Sequence, residues 1–516
     1  MTEFSSGRRW WPLVAICLGT FMLLVDVTIV GVALPQMSRD LHTQLSSLQW
    51  VVDAYALALA ALLLLSGSLA DRFGRRRLFQ AGLLLFAAAS LASALAPDAG
   101  LLIAARAVQG TGAAAMFATN TALLNATYEG RDRAVAFGIW GAINGAAAAV
   151  APVLGGVLIA AAGWRAIFLV NLPIAAVAAV MTQRVLAESR GYRGPIDWAG
   201  AAFFTVCAAT LTFALIHGGN NGWDSPATLG AFAIAAVALT GFIAVERRRR
   251  HPLLDLALFR RPAFSTLMAA AVLLTACAFA PFIYTQLWLQ SVLNLTAIRA
   301  GLVLLPMAGV AFVVSAAAGR FMHGIAPRFP LGGGLLLIGA GSLLRTMVTA
   351  HSSWTVLIPG LVVTGVGVGL ASPVLVSAAL AAVPRPRSGM ASGAVNTFRQ
   401  IGYALGIAAF GSVFADRIAH TTAGSGLFRY PAAAAAQASQ GGAQALIAAS
   451  ARPAAVSHVV HAAYASGQNS IYLAAGVAAL IGGVLVLALI RPGPPAEPDQ
   501  ASAGANAPAV SVRSPS

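Results

Sequence analysis

Apolar blocks separated by short polar loops recur along almost the whole chain, and this pattern constrains the fold most. Each block has about 20 residues, the length at which a helix crosses the ~30 Å hydrocarbon layer of a bilayer. Backbone groups in lipid need hydrogen bonds within their own segment, so the blocks are predicted to be helices, and the alternating strands of a membrane barrel are absent. Charged residues make up 9% of the chain, against roughly 25% in soluble proteins. We therefore predict an all-α polytopic membrane protein embedded in the lipid bilayer.

Fourteen transmembrane helices are predicted, an even number that places both termini on one side. They lie near 12–34, 48–70, 78–96, 101–125, 135–161, 165–186, 198–217, 227–246, 263–289, 299–322, 331–350, 355–380, 393–416 and 470–490. With the N-terminus inside, the cytoplasmic segments carry 23 arginines and the opposite segments carry 6. Because basic residues concentrate in cytoplasmic loops, we predict a multi-pass protein of the inner or plasma membrane with both termini cytoplasmic.

The net charge of +16 comes from arginine alone, since the chain has no lysine. Most arginines lie in the loops between apolar blocks, so the charge indicates membrane topology and not nucleic-acid binding. A phosphate-binding loop needs a lysine, which disfavours an ATP-driven pump. The three cysteines lie inside apolar blocks, and no histidine has metal-ligand spacing. We predict no metal, no cofactor and, without a clustered nucleophile and base, no enzyme.

A weak internal repeat suggests how the chain divides. Residues 67–76 read GSLADRFGRR and residues 319–328 read GRFMHGIAPR. Two-fold repeats of this kind underlie alternating access in secondary transporters. The predicted parts are a cytoplasmic tail (1–11), an N-terminal six-helix bundle (12–186), two linker transmembrane helices with a cytoplasmic loop (187–262), a C-terminal six-helix bundle (263–490) with a long extracytoplasmic loop (417–469), and a disordered cytoplasmic tail (491–516).

Charged residues inside the predicted spans are the strongest functional signal, because each costs at least ~2.5 kcal/mol in mid-membrane. Asp26 lies in the first span and Asp53 near the outer end of the second. Burial favours the neutral form of a carboxyl group, so such a group can exchange a proton near neutral pH. Arg106, in the fourth span, needs a cavity, carbonyls or a carboxylate, unless it snorkels to the interface. We predict that Asp26, Asp53 and Arg106 serve proton coupling or substrate binding.

Two further segments are predicted to control conformation. The loop 67–77 is short and dense in charge, and we predict a conformational latch formed by Gly67, Asp71, Arg72, Gly74, Arg75 and Arg76, although plain positive-inside anchoring would also explain the arginines. In the fifth span, Pro152 removes a backbone donor, and Gly155 and Gly156 allow close packing. We predict that these three residues form a hinge.

Polar and aromatic residues in other spans could line a cavity. We predict that a cavity is lined by Gln109, Trp140, Asn144, Tyr284, Asn396, Arg399 and Gln400. Trp50, Tyr55, Phe282 and Trp288 are aromatic candidates, although packing or a membrane-interface position explains such residues as well. Arg345 lies near a helix end and is predicted to be an interface anchor.

The motifs together resemble the major facilitator superfamily and, within it, the fourteen-span drug:proton antiporters of the EmrB/QacA type. The resemblance is carried by LLVDVTIVGVALP (23–35), GSLADRFGRRR (67–77), RAVQGTGAA (106–114), VAPVLGG (150–156) and GWRAIFLVNLPI (163–174), and also by QWVVDAYAL and FRRPAF. It implies a major facilitator fold of two six-helix bundles plus two extra central helices. It also implies coupling or cation recognition by Asp26 and Asp53, proton relay by Arg106, and an antiport hinge at Pro152. Ala151 stands where the family motif has glycine, which weakens the antiport assignment.

The function predicted from these features is proton-coupled export of drugs or natural products, conferring resistance. We expect small amphipathic substrates, apolar or weakly cationic, and a transporter that functions as a monomer and exchanges its substrate for protons. Transport of one specific metabolite, siderophore or nutrient remains an alternative within the transporter class. A membrane sensor or scaffold without transport is an alternative from another class.

Overall fold

The computed structural model describes residues 9–490 apart from 44, 192–193, 250 and 323–324, and in that part of the chain the regular structure is entirely helical. The helices before residue 250 are α1 (Trp11–Asp40), α2 (Leu45–Phe73), α3 (Arg75–Ala94), α4 (Ala99–Thr127), α5 (Gly130–Ala162), α6 (Ala166–Leu169), α7 (Asn171–Val185), α8 (Trp198–Asn221) and α9 (Pro226–Glu246). Those after it are α10 (Pro262–Ala278), α11 (Pro281–Ser291), α12 (Ala297–Phe321), α13 (Arg328–Leu344), α14 (Ile358–Ala381), α15 (Ser388–Gly424), α16 (Pro431–Ser439), α17 (Ala443–Ala448) and α18 (Pro453–Leu489). Short 3₁₀ turns lie at Leu256–Arg260, Trp354–Leu357 and Arg385–Arg387.

The helices confirm a multi-pass membrane protein. Within the described residues, 12 helical stretches are long and apolar enough to cross a bilayer. Two of these are interrupted, since α6 with α7 and α10 with α11 each form one stretch. The predicted fifth and eleventh spans coincide with shorter apolar segments, at Val153–Ala162 within α5 and at Arg328–Leu344. The count of fourteen spans therefore stays a prediction.

The helices pack in two groups. Helices α1 to α7 pack mainly on one another and are called the N-terminal group, and α10 to α18 form the C-terminal group. Helices α8 and α9 pack on each other, with α8 also against α2. The two groups meet where α5 packs along α12 and where α15 packs against α2 and α4. We call the end of the assembly at which α2 ends and α3 begins the Asp71 end.

The span formed by α10 and α11 is divided in its middle. Helix α10 ends at Ala278 and α11 begins at Pro281. The carbonyl of Thr275 accepts hydrogen bonds from both Phe279 N and Ala280 N, and Pro281 has no N–H with which to continue the ladder. The chain therefore crosses this region as two helical segments joined at residues 279–280.

Residues 417–469, expected as one long loop, are mostly helical. Helix α15 continues to Gly424, α18 begins at Pro453, and α16 and α17 lie between them. This segment is rich in alanine, the residue with the highest intrinsic helix propensity, which favours helices here. The predicted tail 491–516 and residues 1–8 of the predicted tail 1–11 lie outside the described residues.

Candidate functional site

Asp26 lies in α1 with its side chain fully buried inside the N-terminal group. Its Oδ2 accepts a hydrogen bond from Arg106 Nη1 at 2.5 Å. Its Oδ1 accepts from Gln109 Nε2 at 2.9 Å and from Asn171 Nδ2 at 3.0 Å. The carboxylate is thus held by one cation and two amides, which come from α4 and α7.

Arg106 is equally buried and is fixed from several sides. Its Nε donates to the carbonyl of Val51 at 2.9 Å, and its Nη1 also donates to Gln109 Oε1 at 2.7 Å. The guanidinium carbon lies 4.2 Å from the ring centroid of Tyr55, a cation–π contact. Its Nη2 has no hydrogen-bond partner among the described residues. The arginine therefore faces a carboxylate inside the protein and does not snorkel.

Two members of this cluster were missed by sequence reasoning. Ser90 Oγ of α3 accepts from Gln109 Nε2 at 2.8 Å and from Asn171 Nδ2 at 3.3 Å. The two missed residues, Ser90 and Asn171, are both buried. The available signal was a polar side chain inside an apolar span, but serine and asparagine are common enough in membrane helices that the signal is weak. We call Asp26, Ser90, Arg106, Gln109 and Asn171 the buried polar cluster.

The cluster can link protonation to helix packing. In a low-dielectric interior an ion pair is favourable only when its hydrogen bonds are satisfied, and removal of one charge leaves the other uncompensated. A proton on Asp26 would remove the charge that Arg106 faces. Because the five residues come from α1, α3, α4 and α7, such a change would act on the packing of four helices at once.

Asp53 does not belong to the buried polar cluster. Its side chain is half-buried in α2, and it makes no hydrogen bond or ion pair with the residues that the structure describes. The neighbouring backbone is engaged nevertheless, since Val51 O accepts from Arg106. The predicted role of Asp53 stays a prediction.

Asp71, at the Asp71 end of α2, joins the two helix groups. Its Oδ1 accepts from Gly389 N and its Oδ2 from Met390 N, both at 2.9 Å, and these amides open α15. Arg75 Nη2 pairs with Oδ1 at 2.7 Å and also donates to Arg385 O at 3.1 Å. A carboxylate is favourable at a helix N-terminus because the first amides are unpaired and carry partial positive charge.

Small residues allow this contact. A Cβ on Gly67 would collide with the carbonyl of Gly389, so the two glycines let α2 and α15 approach backbone to backbone. Gly74 has φ +115°, a conformation that residues with a side chain rarely adopt, and it forms the turn between α2 and α3. The predicted latch residues Gly67, Asp71, Gly74 and Arg75 therefore act in one structural unit.

Arg76 and Arg72 take different positions in that unit. Arg76 N and Arg77 N donate to the carboxylate of Glu188, which sequence reasoning missed, at 3.1 and 3.2 Å. Arg76 Nη1 also donates to Leu186 O at 3.0 Å. Arg72 lies 5.4 Å over the ring of Phe73 and makes no hydrogen bond or ion pair with the described residues of α15. Arg76 thus fastens α3 to the segment after α7.

Two further ion pairs lie at the same end, and neither was predicted. Arg385 Nη2 pairs with Glu129 Oε1 at 3.0 Å, an exposed pair between the two groups. Arg387 Nη1 pairs with Asp255 Oδ2 at 2.8 Å in a partly buried position. Exposed pairs contribute ~0–1 kcal/mol, so the buried Asp71 contact is expected to dominate here.

The predicted hinge residues lie in α5. A Cβ on Gly155 would approach Ile29 Cγ1 of α1 to 2.7 Å, and one on Gly156 would approach Ile298 Cγ1 of α12 to 2.6 Å. Pro152 lies within α5, but its side chain is outside the described part of the structure. Two glycines that the sequence analysis did not select bring α5 and α12 together: Gly138 faces Ser315 O and Gly319 faces Ala134 O.

The residues predicted to line a cavity divide into two sets. Gln109 belongs to the buried polar cluster, Trp140 is fully buried with its Nε1 donating to Thr20 Oγ1 at 3.3 Å, and Asn396 Nδ2 donates to Phe117 O at 3.1 Å. Asn144, Tyr284, Arg399 and Gln400 are partly exposed. Asn144 donates to Trp140 O and Tyr284 to Ile407 O, both at 2.7 Å.

Arg345, expected at the membrane interface, is fully buried. Its guanidinium carbon lies 4.5 Å from the ring centroid of Tyr472, and its Nη2 donates to Ser342 Oγ at 3.0 Å. The physical reason lies in α14, where Gly360 has no side chain: a Cβ there would collide with Arg345 Cγ, so the glycine leaves room for the arginine between helices.

The family model for the Major Facilitator Superfamily matches residues 16–407. The chain belongs to the major facilitator superfamily. This superfamily consists of membrane transporters, so the chain is not an enzyme. The human organic anion transporter MFSD10 (TETRAN) has the same fold, with a TM-score of 0.59 at 15% identity, over 94% of this chain and 100% of that one.

Curated relatives within the major facilitator superfamily are named for drug resistance. Multidrug resistance protein Stp of Mycobacterium tuberculosis (strain CDC 1551 / Oshkosh) is 37% identical over 79% of this chain and 76% of that protein. The tetracenomycin C resistance and export protein of Streptomyces glaucescens is 32% identical over 96% of this chain and 93% of that protein. The methylenomycin A resistance protein of Streptomyces coelicolor (strain ATCC BAA-471 / A3(2) / M145) is 37% identical over 79% and 87%, respectively.

Proposed function

We propose that this protein is a proton-coupled antiporter that exports drugs or natural products across the cytoplasmic membrane. The observation that carries the proposal is the buried polar cluster, in which a single acid and a single base face each other inside a transporter fold. The names of the curated relatives support drug export as the direction and class of transport. We also propose the fourteen-span form, with two helices between two six-helix bundles and both termini cytoplasmic.

Proton coupling follows from the ion pair. With Asp26 ionised, Arg106 is neutralised, and the packing seen here is stable. When Asp26 takes up a proton, Arg106 is left as an uncompensated buried charge, and a conformation that hydrates the arginine becomes favourable. Binding of a substrate and binding of a proton would then favour different conformations, which is the requirement for exchange.

The latch and the hinge complete the cycle. The Asp71 contact closes the Asp71 end, which we assign to the cytoplasmic side from the distribution of arginines. Release of the contact would open that end for substrate entry. The predicted hinge, at Pro152, Gly155 and Gly156, would let α5 move against α1 and α12 during this change.

The proposal is tested by drug susceptibility in a pump-deficient bacterium that expresses the wild type, Asp26→Asn or a matched control, Asp416→Asn. Asp416 is an exposed acid of α15 that, among the described residues, pairs with His420. We expect the wild type and the control to raise the inhibitory concentration of several amphipathic drugs at least fourfold, and Asp26→Asn to abolish this protection at equal membrane abundance.

Everted vesicles test the coupling. An ionophore that collapses the proton gradient should stop drug accumulation by the wild type. Equal susceptibility with and without the wild-type protein would refute drug export, and accumulation that persists with the ionophore would refute proton coupling. Protection against one compound alone would favour a transporter of one specific metabolite.

A further inference from the structure

Arg399 is a charged side chain deep in a helix of the C-terminal group for which the proposed cycle has no use. It lies 11 residues after the start of α15 at Ser388, about 16 Å along the helix at 1.5 Å per residue. Its guanidinium is partly exposed and makes no hydrogen bond or ion pair with the described residues. An arginine inside a span costs at least ~2.5 kcal/mol, so an unpartnered one calls for an explanation.

The direction of Arg399 follows from its neighbours on α15. One turn earlier, Asn396 Nδ2 donates to Phe117 O of α4, and before that Ser392 Oγ contacts Thr121 Oγ1 of α4. Positions three and four residues apart share a helix face, so Arg399 continues the face that meets the N-terminal group. The exposed side chains at Leu405 and Ala409 lie on another side of the helix. Arg399, which is partly exposed, therefore lies on the side of α15 that faces the N-terminal group and not on the side of Leu405 and Ala409.

No acid of its own group can neutralise Arg399. Asp416 is the single acidic residue between positions 263 and 490, and its exposed carboxylate lies nearly five turns farther along α15, beside His420. In the N-terminal group, the buried acid Asp26 is already paired with Arg106. Asp53 of α2 is half-buried and pairs neither with Arg399 nor with any other described residue. Among the described residues, Arg399 therefore has no acid paired with it.

Further hydrogen-bond donors accompany the charge. Tyr403 lies one turn after Arg399 on the same helix face, and it is partly exposed. Its hydroxyl, like the side-chain amide of Gln400, has no hydrogen-bond partner among the described residues. A guanidinium with an adjacent phenol is suited to an acceptor that carries negative charge, since arginine binds carboxylates through two parallel hydrogen bonds.

The buried Arg345 provides the contrast. It also lacks an acid partner among the described residues, but its side chain is fully buried and packs on Tyr472. A ligand bound between the two helix groups could therefore not reach Arg345. Arg399 also lacks an acid partner among the described residues, but its side chain is partly exposed and a ligand can reach it.

We propose that Arg399, with Tyr403, binds the acidic group of the exported compounds, so that the preferred substrates are amphipathic organic anions. Such a compound carries a carboxylate, phenolate or enolate on an apolar body. This inference rests on the proposed drug export and departs from the expectation of apolar or weakly cationic substrates. A positive charge in a cleft with low-dielectric walls raises the local concentration of anions and excludes cations.

The test uses three fluorescent probes with one apolar body: pyrenebutyrate, its methyl ester and its trimethylammonium analogue. Binding to the purified full-length protein is measured by fluorescence anisotropy, and transport is measured in everted vesicles. We expect the wild type to bind the acid at least fivefold more tightly than the ester, and the cation most weakly. Arg399→Gln should weaken binding of the acid at least tenfold and that of the ester less than twofold.

Two further variants and a control complete the design. Arg399→Lys keeps the charge without the paired donors and should show an intermediate affinity, and Tyr403→Phe should weaken acid binding severalfold. Arg299→Gln removes the same charge from an exposed position at the start of α12 and should change nothing. Retained ester binding shows that each variant is folded.

The outcomes separate this inference from the proposed function. Wild-type protein that binds the ester or the cation as well as the acid, or an equal loss of all three probes in Arg399→Gln, would overturn the anion site while leaving drug export intact. Preferential binding of the acid without transport of any probe or drug would support the anion site and refute export.

Discussion

At the scale of single residues, the Asp26–Arg106 pair is balanced by its surroundings. The carboxylate and the guanidinium each lie fully inside the protein, and Gln109 hydrogen-bonds to both of them. Breaking a buried pair from one side leaves an uncompensated charge, whereas replacing both partners removes the difficulty. We therefore expect that losing both charges destabilises the protein less than losing one of them. Transport should be lost whenever either charge is removed.

A double-mutant cycle tests this prediction. Arg106→Gln and Asp26→Asn should each destabilise the purified protein by about 3 kcal/mol, and the double variant should recover most of that loss without recovering transport. Thermal unfolding in detergent and proton-driven drug uptake are the two measurements. Additive destabilisation in the double variant would show that the two charges do not stabilise each other.

The sequence predicted these two residues but not their full environment. A charged side chain inside an apolar span is visible in one dimension, so Asp26 and Arg106 could be selected without a structure. Ser90 and Asn171 could not be, because a neutral polar side chain in a span has an ordinary packing role in most helices. Only the packing of α7 on α1 and α3 places Asn171 on the carboxylate and Ser90 beside Asn171.

At the scale of helices, the Asp71 contact joins the end of α2 to the start of α15. The carboxylate accepts two backbone amides of α15 while Arg75 holds it from α3. An anion at a helix N-terminus contributes up to ~2 kcal/mol in a partly buried site. Sequence analysis predicted a latch that includes Asp71. Its partner could not be found in the sequence, because Gly389 lies 318 residues away and contributes only its backbone.

Loss of the Asp71 charge should open this end. In a background without native cysteines, a cysteine placed at the buried position Met390 should react with a maleimide severalfold faster after Asp71→Asn, because the amides of α15 lose their acceptor. Glu129→Gln, which removes an exposed ion pair at the same end, serves as the control and should leave the rate unchanged. Unchanged labelling after Asp71→Asn would contradict the latch.

The contact between α5 and α12 is a second helical feature with a test. A Cβ on Gly319 would lie 2.5 Å from Ala134 O, whereas one on Gly309, in the same helix, meets nothing within 4 Å. Gly319→Ala should therefore destabilise the protein by about 1–3 kcal/mol through overpacking. Gly309→Ala should be neutral or stabilising, since alanine has the higher helix propensity. Equal unfolding temperatures for the two variants would show that the close approach carries no strain.

At the scale of the whole molecule, the net charge that crosses the membrane in each cycle decides how strongly the membrane potential drives transport. If one proton enters per cycle, export of a neutral compound moves one net charge, export of a monovalent cation moves none, and export of a monovalent anion moves two. The electrical driving force is ~2.3 kcal/mol per charge per 100 mV. An exporter of anions thus gains twice the electrical energy of an exporter of neutral compounds.

This difference is measurable with potassium gradients and valinomycin in vesicles. The steady-state accumulation of pyrenebutyrate should increase about twice as steeply, on a logarithmic scale, with membrane potential as that of its methyl ester. The trimethylammonium analogue, if transported at all, should respond to the pH gradient and not to the potential. Equal slopes for the acid and the ester would contradict exchange of an anion for one proton.

The overall architecture was largely visible in the sequence, since apolar length alone located the helices. The count was less secure where a helix is short or interrupted: α13 has 17 residues, and the apolar part of α5 covers only Val153–Ala162. Residues 417–469 show the opposite case, in which alanine-rich composition forms helices within a predicted loop. A helical spacing is present there, since the buried residues Val456, Val460, Ala463 and Gly467 recur every three or four positions.

The break between α10 and α11 has a mechanical consequence. A continuous helix transmits a tilt at one end to the other, but residues 279–280 interrupt the backbone ladder, so the two segments can turn separately. The α10 segment is tied to α15 by Thr275 Oγ1, which donates to Arg399 O, and the α11 segment by Tyr284, which donates to Ile407 O. A bend at this joint would allow the side chain of Tyr284 to swing while the turn that carries Arg399 keeps its place. Occlusion of a bound compound could then begin with one half of a single span, before the larger groups of helices rotate.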